Sequence, residues 1–457
     1  MADDAAAPAG QGSGEGHGQG SGPGHGSGQG PAARTAFGFT PHALRPAVLG
    51  EMHARPAHPV EAPRTVLHLA FLTGPEEAAA DRAAVDALAL SLGEAGPGAA
   101  MRQCRLATSG GFLRWESHTE FSTYTFDAPG SGGPLPPHPF GHAFRQPGPL
   151  IAAVRLDLLP MPAALEDGLE GFDPISLCVS RVADGETVAA TDFRQDADGF
   201  TRIRVFVGSL SASRTGYLVQ RLIEIETYRT LALLGLPEAQ RVTPSVRRIE
   251  AGLVTALEAM KSTRGLTDNQ RLLDDLTDLA ADLEAGAAAS AYRFAATRAY
   301  REIVAERLEA IREQHVSGYG GWRGFLQRRF APAMRTCIAI EARQIDLSTK
   351  LARAANLLRT RVDVELERQN RDLLHSMNLR GRLQLRLQQT VEGLSVAAIS
   401  YYVVSLIAKV AEGLHAEGLP VAPELTTALS VPAVVLAIWW VVRSIRRHHA
   451  DVHFSDR

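Results

Sequence analysis

Two apolar stretches near the C-terminus, residues 394–411 and 425–442, constrain this chain more than anything that precedes them. Each is about 18 residues long, or roughly 27 Å as an α-helix, near the lower limit for crossing a bilayer. A short acidic connection carrying Glu412, Glu417 and Glu424 joins them. The pattern predicts a two-helix transmembrane hairpin, residues 394–442, with a soluble body upstream and a basic cytoplasmic tail over residues 443–457. Arg380, Arg382 and Arg386 precede the first stretch, Arg443, Arg446 and Arg447 follow the second, and the connection has no Lys or Arg after Lys409. The positive-inside bias therefore places both termini in the cytoplasm. Trp439 and Trp440 suit an interfacial belt, and Pro432 is tolerable where neighbouring helices re-satisfy the backbone. Arg380, Arg382 and Arg386 are expected to attract anionic lipid.

A cytoplasmic body agrees with the cysteines. Cys104, Cys178 and Cys337 are odd in number and far apart, which is neither a disulfide framework nor a zinc spacing. The N-terminus shows no basic region followed by an apolar core, so no signal peptide is expected. A net charge of −3 gives no case for nucleic acid. Residues 1–39 read as a flexible Gly-rich tail. Gly fills every even position from Gly10 to Gly30, and the octet 10–17 recurs at 18–25 with only Glu15 replaced by Pro23. Such a repeat buries too little surface to offset chain entropy. His17 and His25 within it are read as solvated.

Residues 40–236 predict an α+β domain with a largely antiparallel sheet. Strand candidates are 65–72, 111–119, 121–127, 150–159, 176–183, 186–193 and 200–207, with an alanine-rich helix over 75–92. Asp184-Gly185 and Asp198-Gly199 are hairpin signals, and the Gly/Pro-rich residues 128–149 read as an irregular insertion. Beyond Ser211 the pattern is helical. One helix is expected to end near Leu234 at Gly235 and Pro237, with further breaks at Pro244, Gly265 and the glycines of residues 318–324. Residues 237–393 then form a helical stalk region. From Pro332 onward the pattern is one long helix whose apolar stripe runs Leu347, Leu351, Ala355, Leu358, Val362, Leu366, Leu373 and Met377. Steps of mostly three and four make a one-sided seam of coiled-coil type that needs partners to cover it. Homo-oligomerisation is the expectation.

Two resemblances follow from particular residues. The run GEMHARP at 50–56, with His42, Leu44 and Arg45 upstream, and the blocks NLLRTRVDV at 356–364, Gln369-Asn370 and QQTVEGLSVAAISYY at 388–402 resemble the signatures of a bacterial domain-of-unknown-function family of membrane-anchored proteins. That resemblance implies a membrane-anchored protein and supplies no reaction; the location expected is the bacterial inner membrane. The order of body, stalk and two-span hairpin is similar to the CorA-type magnesium channels. Where those carry Gly-Met-Asn, this chain reads Ala411-Glu412-Gly413-Leu414-His415. Magnesium selectivity does not carry over.

Chemistry-bearing groups are sparse. On the first apolar stretch Ser395, Ala398, Tyr402, Ser405 and Lys409 make a small-and-polar face, either for helix packing or for a pore. Glu51, His53, Arg55 and His58 gather ligand-capable groups near the start of the domain, either as a rigid structural loop or as a metal or anion site. The run GSLSAS at 208–213 leads into a helix and is read as a serine cap rather than an anion cradle. Asp275, Asp278 and Asp282, with Asp268, Asp274 and Glu284, form an acidic helix face, read as solvated or as a hard-cation site between subunits. No P-loop, dinucleotide fingerprint, nucleophile elbow or HExxH is present. The function expected is a membrane-anchored, cytoplasmic-facing scaffold or sensor. The alternative is a CorA-like channel or transporter without the selectivity motif, and a tethered enzyme comes third.

Overall fold

A computed structural model describes residues 39, 42–45, 48–49, 57–98, 101–130, 133–135, 140, 144–417, 420 and 422–452. It divides into two compact units, residues 1–234 with 297–334, and residues 235–296 with 335–457.

The first unit is built on a nine-stranded sheet. Its strands are β1 (Arg64–Leu72), β2 (Gln103–Thr108), β3 (Gly111–Ser117), β4 (Phe121–Pro129), β5 (Leu150–Pro160), β6 (Cys178–Val182), β7 (Thr187–Gln195), β8 (Thr201–Val207) and β9 (Gln314–His315). They lie in the order β2-β3-β4-β1-β5-β8-β7-β6-β9. Every neighbouring pair is antiparallel except β5 and β8, which run parallel. The apolar run of β1 suits a central position, since both of its faces are covered.

Two helices cover opposite faces of the β1–β4 half. Helix α1 (Pro75–Ser91) starts with Pro75 in its first turn beside Glu76 and Glu77, where a missing N–H and negative charge are both favourable. It packs Val85 and Ala89 onto Leu67, Phe71, Leu106, Leu113, Trp115 and Phe126. Asp81 on the same helix is buried and accepts from Trp115 Nε1 at 2.8 Å and from the Tyr124 hydroxyl. Helix α2 (Ala212–Leu233) lies on the other face, with Leu231 and Tyr228 against Ala70, Phe121 and Ala152. Gly111, at φ +152, lets β3 come so close to β4 that a Cβ there would lie 2.0 Å from the Asp127 carbonyl oxygen.

One strand was not anticipated, and two local expectations need correction. β2 has no clear strand pattern in sequence and exists because β3 pairs with it through a two-residue turn. Pro244 breaks nothing, since it lies inside α3 (Gly235–Ser262), and Gly235 with Pro237 opens that helix after α2 has stopped. The expected serine cap is also absent: Ser211 holds the N-cap position of α2 but makes no side-chain cap hydrogen bond.

The second unit is helical. α3, the first part of α4 (Leu266–Ala310) and the middle of α5 (Trp322–Ala416) pack together. Val246, Ile249, Leu253 and Met260 of α3, Leu272, Leu276 and Leu283 of α4, and Leu347, Leu351, Leu358 and Val362 of α5 are buried. Arg248 pairs with Asp282 at 3.0 Å, Arg343 pairs with Glu250, and Arg361 donates to the Met260 carbonyl at 2.6 Å. The α5 seam is thus half used within the chain, while Leu366, Leu373 and Met377 are exposed. α5 is 95 residues long and accommodates Pro332 near its start. The last helix, α6 (Pro423–Val452), is strongly apolar. α5 and the part of α6 over Pro423–Ser444 are long and apolar enough to cross a membrane.

Candidate functional site

The half of the sheet facing α2 carries a polar band. Because side chains alternate across a strand, Arg105, Arg114, Thr125 and His68 point to one face. They also share one rung: Arg105 of β2 is opposite Arg114 of β3, Arg114 opposite Thr125 of β4, and Thr125 opposite His68 of β1. The next rung on the same face holds Glu116, Thr123 and Ala70. α2 closes over this band with Gly216, Val219, Gln220, Ile223, Glu224 and Thr227.

Two cavities lie between helix and sheet and share Arg114, Gln220 and Ile223. One, of about 50 Å³, is lined by His58, Arg105, Arg114, Thr125, Asp127 and Gln220 among others. The second, of about 40 Å³, adds His68, Glu116, His118, Thr123, Glu224 and Tyr228. Each has room for a few waters or a small polar group.

The groups differ in how well they are satisfied. Asp127 is held by Arg64, and Glu224 by Arg307 and by Gln220 Nε2 at 2.8 Å. Tyr300 donates to Glu120 at 2.7 Å beside Tyr228, whose ring lies 5.4 Å from its own. The His118 ring stacks on Phe121 with 4.1 Å between centroids. The Arg114 side chain, by contrast, makes no hydrogen bond with a described residue, and its Nε sits 3.3 Å from Glu116 Oε1 in poor alignment. His68 is 6% exposed. Its Nδ1 lies 2.8 Å from Thr125 Oγ1, and its buried Nε2 has no hydrogen-bond partner among the described residues. Burial, reinforced by the Arg114 charge, pushes the His68 pKa down to about 3, so the ring is neutral at physiological pH. His58 is also lowered, by burial first, then by Arg105 and Arg114, with Asp127 acting in the opposite sense.

Of the residues singled out in the sequence, His58 lines this groove, and the backbone there is fixed by α2: a Cβ on Gly216 would lie 1.8 Å from the His58 carbonyl oxygen. Glu51, His53 and Arg55 lie outside the described residues. Ser395, Ala398, Tyr402 and Lys409 are exposed and Ser405 is half-buried, whereas Ser400 and Ala411 are the buried positions of that stretch. The acidic face of α4 is exposed, with Asp282 paired to Arg248 and Glu284 accepting from Ser348. Among the described residues no group of three or more His, Cys, Asp or Glu is placed to hold a metal ion. A cation cluster on that face is therefore not formed within one chain.

The sequence pattern overlooked Arg105, Arg114, His68, Thr125 and Gln220. One signal was present, Arg114 and Glu116 alternating with the core residues Leu113 and Trp115, and His68 amid an apolar strand. The cysteines are not nucleophile candidates. All three are free, burial raises each thiol pKa, and that of Cys178 is pushed up to about 12.

Fold and site together define a mixed-sheet body with a small polar groove, followed by long helices that end in apolar segments. The chain belongs to the family described as "Protein of unknown function (DUF3422)", whose model matches residues 40–449. No curated protein and no solved structure matches it.

Proposed function

We propose that this protein is a membrane-anchored scaffold or sensor whose α+β body faces the cytoplasm. The observation that carries the reading is the exposure of the apolar C-terminal helices: Leu394, Tyr401, Tyr402, Leu406, Leu425, Leu429, Leu436 and Trp440 are each at least 64% exposed. A soluble protein rarely presents so much contiguous apolar surface. In lipid these helices form a two-span hairpin in the bacterial inner membrane, with both termini inside, and Arg380, Arg382 and Arg386 sit at the anionic headgroups. The exposed half of the α5 seam favours association of several copies as a coiled-coil stalk.

Alkaline carbonate extraction tests the anchor. The full chain should stay in the membrane pellet, and a chain stopped after residue 393 should move to the supernatant. Release of the full chain would overturn the proposal.

A second reading, a CorA-like channel or transporter lacking Gly-Met-Asn, draws on the polar face of the first span. Ser395, Tyr402 and Lys409 are exposed there, and polar groups in hydrocarbon are costly unless covered by another helix or water. Ion flux into liposomes that falls with Tyr402→Leu and Ser405→Leu would support it. Flux unchanged by both substitutions would remove that pore lining.

A further inference from the structure

The polar band beneath α2 has the composition of a binding site rather than of a core. Arg105 and Arg114 face one another across β2 and β3, and like charges directly opposite on a sheet repel. Arg105 lies over the Phe112 ring, 3.8 Å from its centroid, and among the described residues the Arg114 side chain is ion-paired with Glu116 alone, at 3.3 Å in poor alignment. Nearby Asp127 is already engaged by Arg64. Both arginines line the larger cavity, where Asp127 is the carboxylate among the described lining residues. The second, independent observation is His68, which lines the adjoining cavity, is 6% exposed and has a buried Nε2 without a hydrogen-bond partner among the described residues. When the Thr125 hydroxyl donates to Nδ1, Nε2 carries the proton and becomes a buried donor.

We propose that this groove binds a small oxyanion, a carboxylate or phosphate group. Arg105 and Arg114 grip it in the larger cavity, Gln220 and His58 border it, and His68 Nε2–H donates from the adjoining one. Planar guanidinium donors fit both kinds of group. The cavities admit the anionic head of a metabolite and little of its body. Under the sensor reading above, this is the class of ligand sensed. Binding stands or falls separately from the anchor, because it is measured in the body.

The test uses the full chain in detergent micelles. Thermal melts and isothermal titration are run with sodium phosphate, sodium acetate and, at matched ionic strength, sodium chloride. One saturable site is expected for phosphate or acetate, and the stronger of the two names the group. Arg114→Gln and Arg105→Gln should each weaken binding about ten-fold or more. Arg105 is exposed, so its variant keeps the fold if Arg114→Gln does not. An equal response to chloride, no saturable site for either oxyanion, or unchanged affinity in Arg105→Gln would overturn the proposal. Loss of membrane retention with intact anion binding would count against the anchor alone.

Discussion

Thr125 Oγ1 lies 2.8 Å from His68 Nδ1, and this contact leaves Nε2 as the nitrogen of the buried ring without a hydrogen-bond partner among the described residues. The bond joins β4 to β1 at directly opposed positions. It orients a neutral imidazole between an apolar layer and a pair of arginines.

The first consequence is a pH dependence of stability. The folded-state pKa of His68 is about 3, against 6.5 for the free side chain. Below pH 6.5 the unfolded chain takes up a proton that the folded chain does not, so stability is full above that value and falls as pH drops toward 3. The loss should reach on the order of a few kcal/mol by about pH 4. Urea titrations from neutral pH downward should show it, and His68→Gln should flatten that part of the profile. An unchanged profile in the variant would show that other groups set the acid limit.

Asp81 ties α1 to the sheet. It is 3% exposed and accepts hydrogen bonds from both Trp115 and Tyr124. Asp81→Ala leaves two buried donors without an acceptor, which costs about 2–4 kcal/mol. Equilibrium unfolding followed by Trp fluorescence measures this, and a cost below about 1 kcal/mol would mean that water replaces the carboxylate.

A pair of glycines in helices separates packing from propensity. Gly216→Ala drives a Cβ into the His58 backbone and should destabilise by about 1–3 kcal/mol through overpacking. Gly286 in α4 has open space where its Cβ would be, and Gly286→Ala should stabilise by about 0.5–1 kcal/mol. Opposite signs in thermal melts are the expected result. A neutral Gly216→Ala would show that the 57–60 segment yields.

A charge in α6 tests its surroundings. Leu436 is 64% exposed, so Leu436→Arg touches little within the chain. At the middle of a membrane span it should cost about 2.5–3.5 kcal/mol and lower the membrane-retained fraction. In water it should change nothing. Carbonate extraction of the variant reads the difference.

Much of the architecture was legible in local pattern. The runs at 65–72, 111–119, 121–127, 150–159, 176–183, 186–193 and 200–207 correspond to strands, and 75–92 to α1. The long terminal helix was legible too, since a sustained seam with few breakers leaves the backbone little alternative. Pro244 misled because a proline costs a helix one hydrogen bond, which tertiary packing can override. β2 was missed because its residues become a strand only when β3 pairs with them.

The groove was not legible, and the reason is physical. Alternation tells that Arg114 and Trp115 point to opposite faces, but not which strand lies opposite. Arg105, Arg114, Thr125 and His68 come from four strands, and their common rung depends on the register of three separate pairings. The cover supplied by α2 comes from about a hundred residues further along the chain. Sequence by itself determined the apolar C-terminal helices, the helical region and most strands, because hydrophobic period and turn chemistry act over a few residues. Only tertiary structure decided which polar residues share a buried face, because strand partner and register are set by packing across the whole unit.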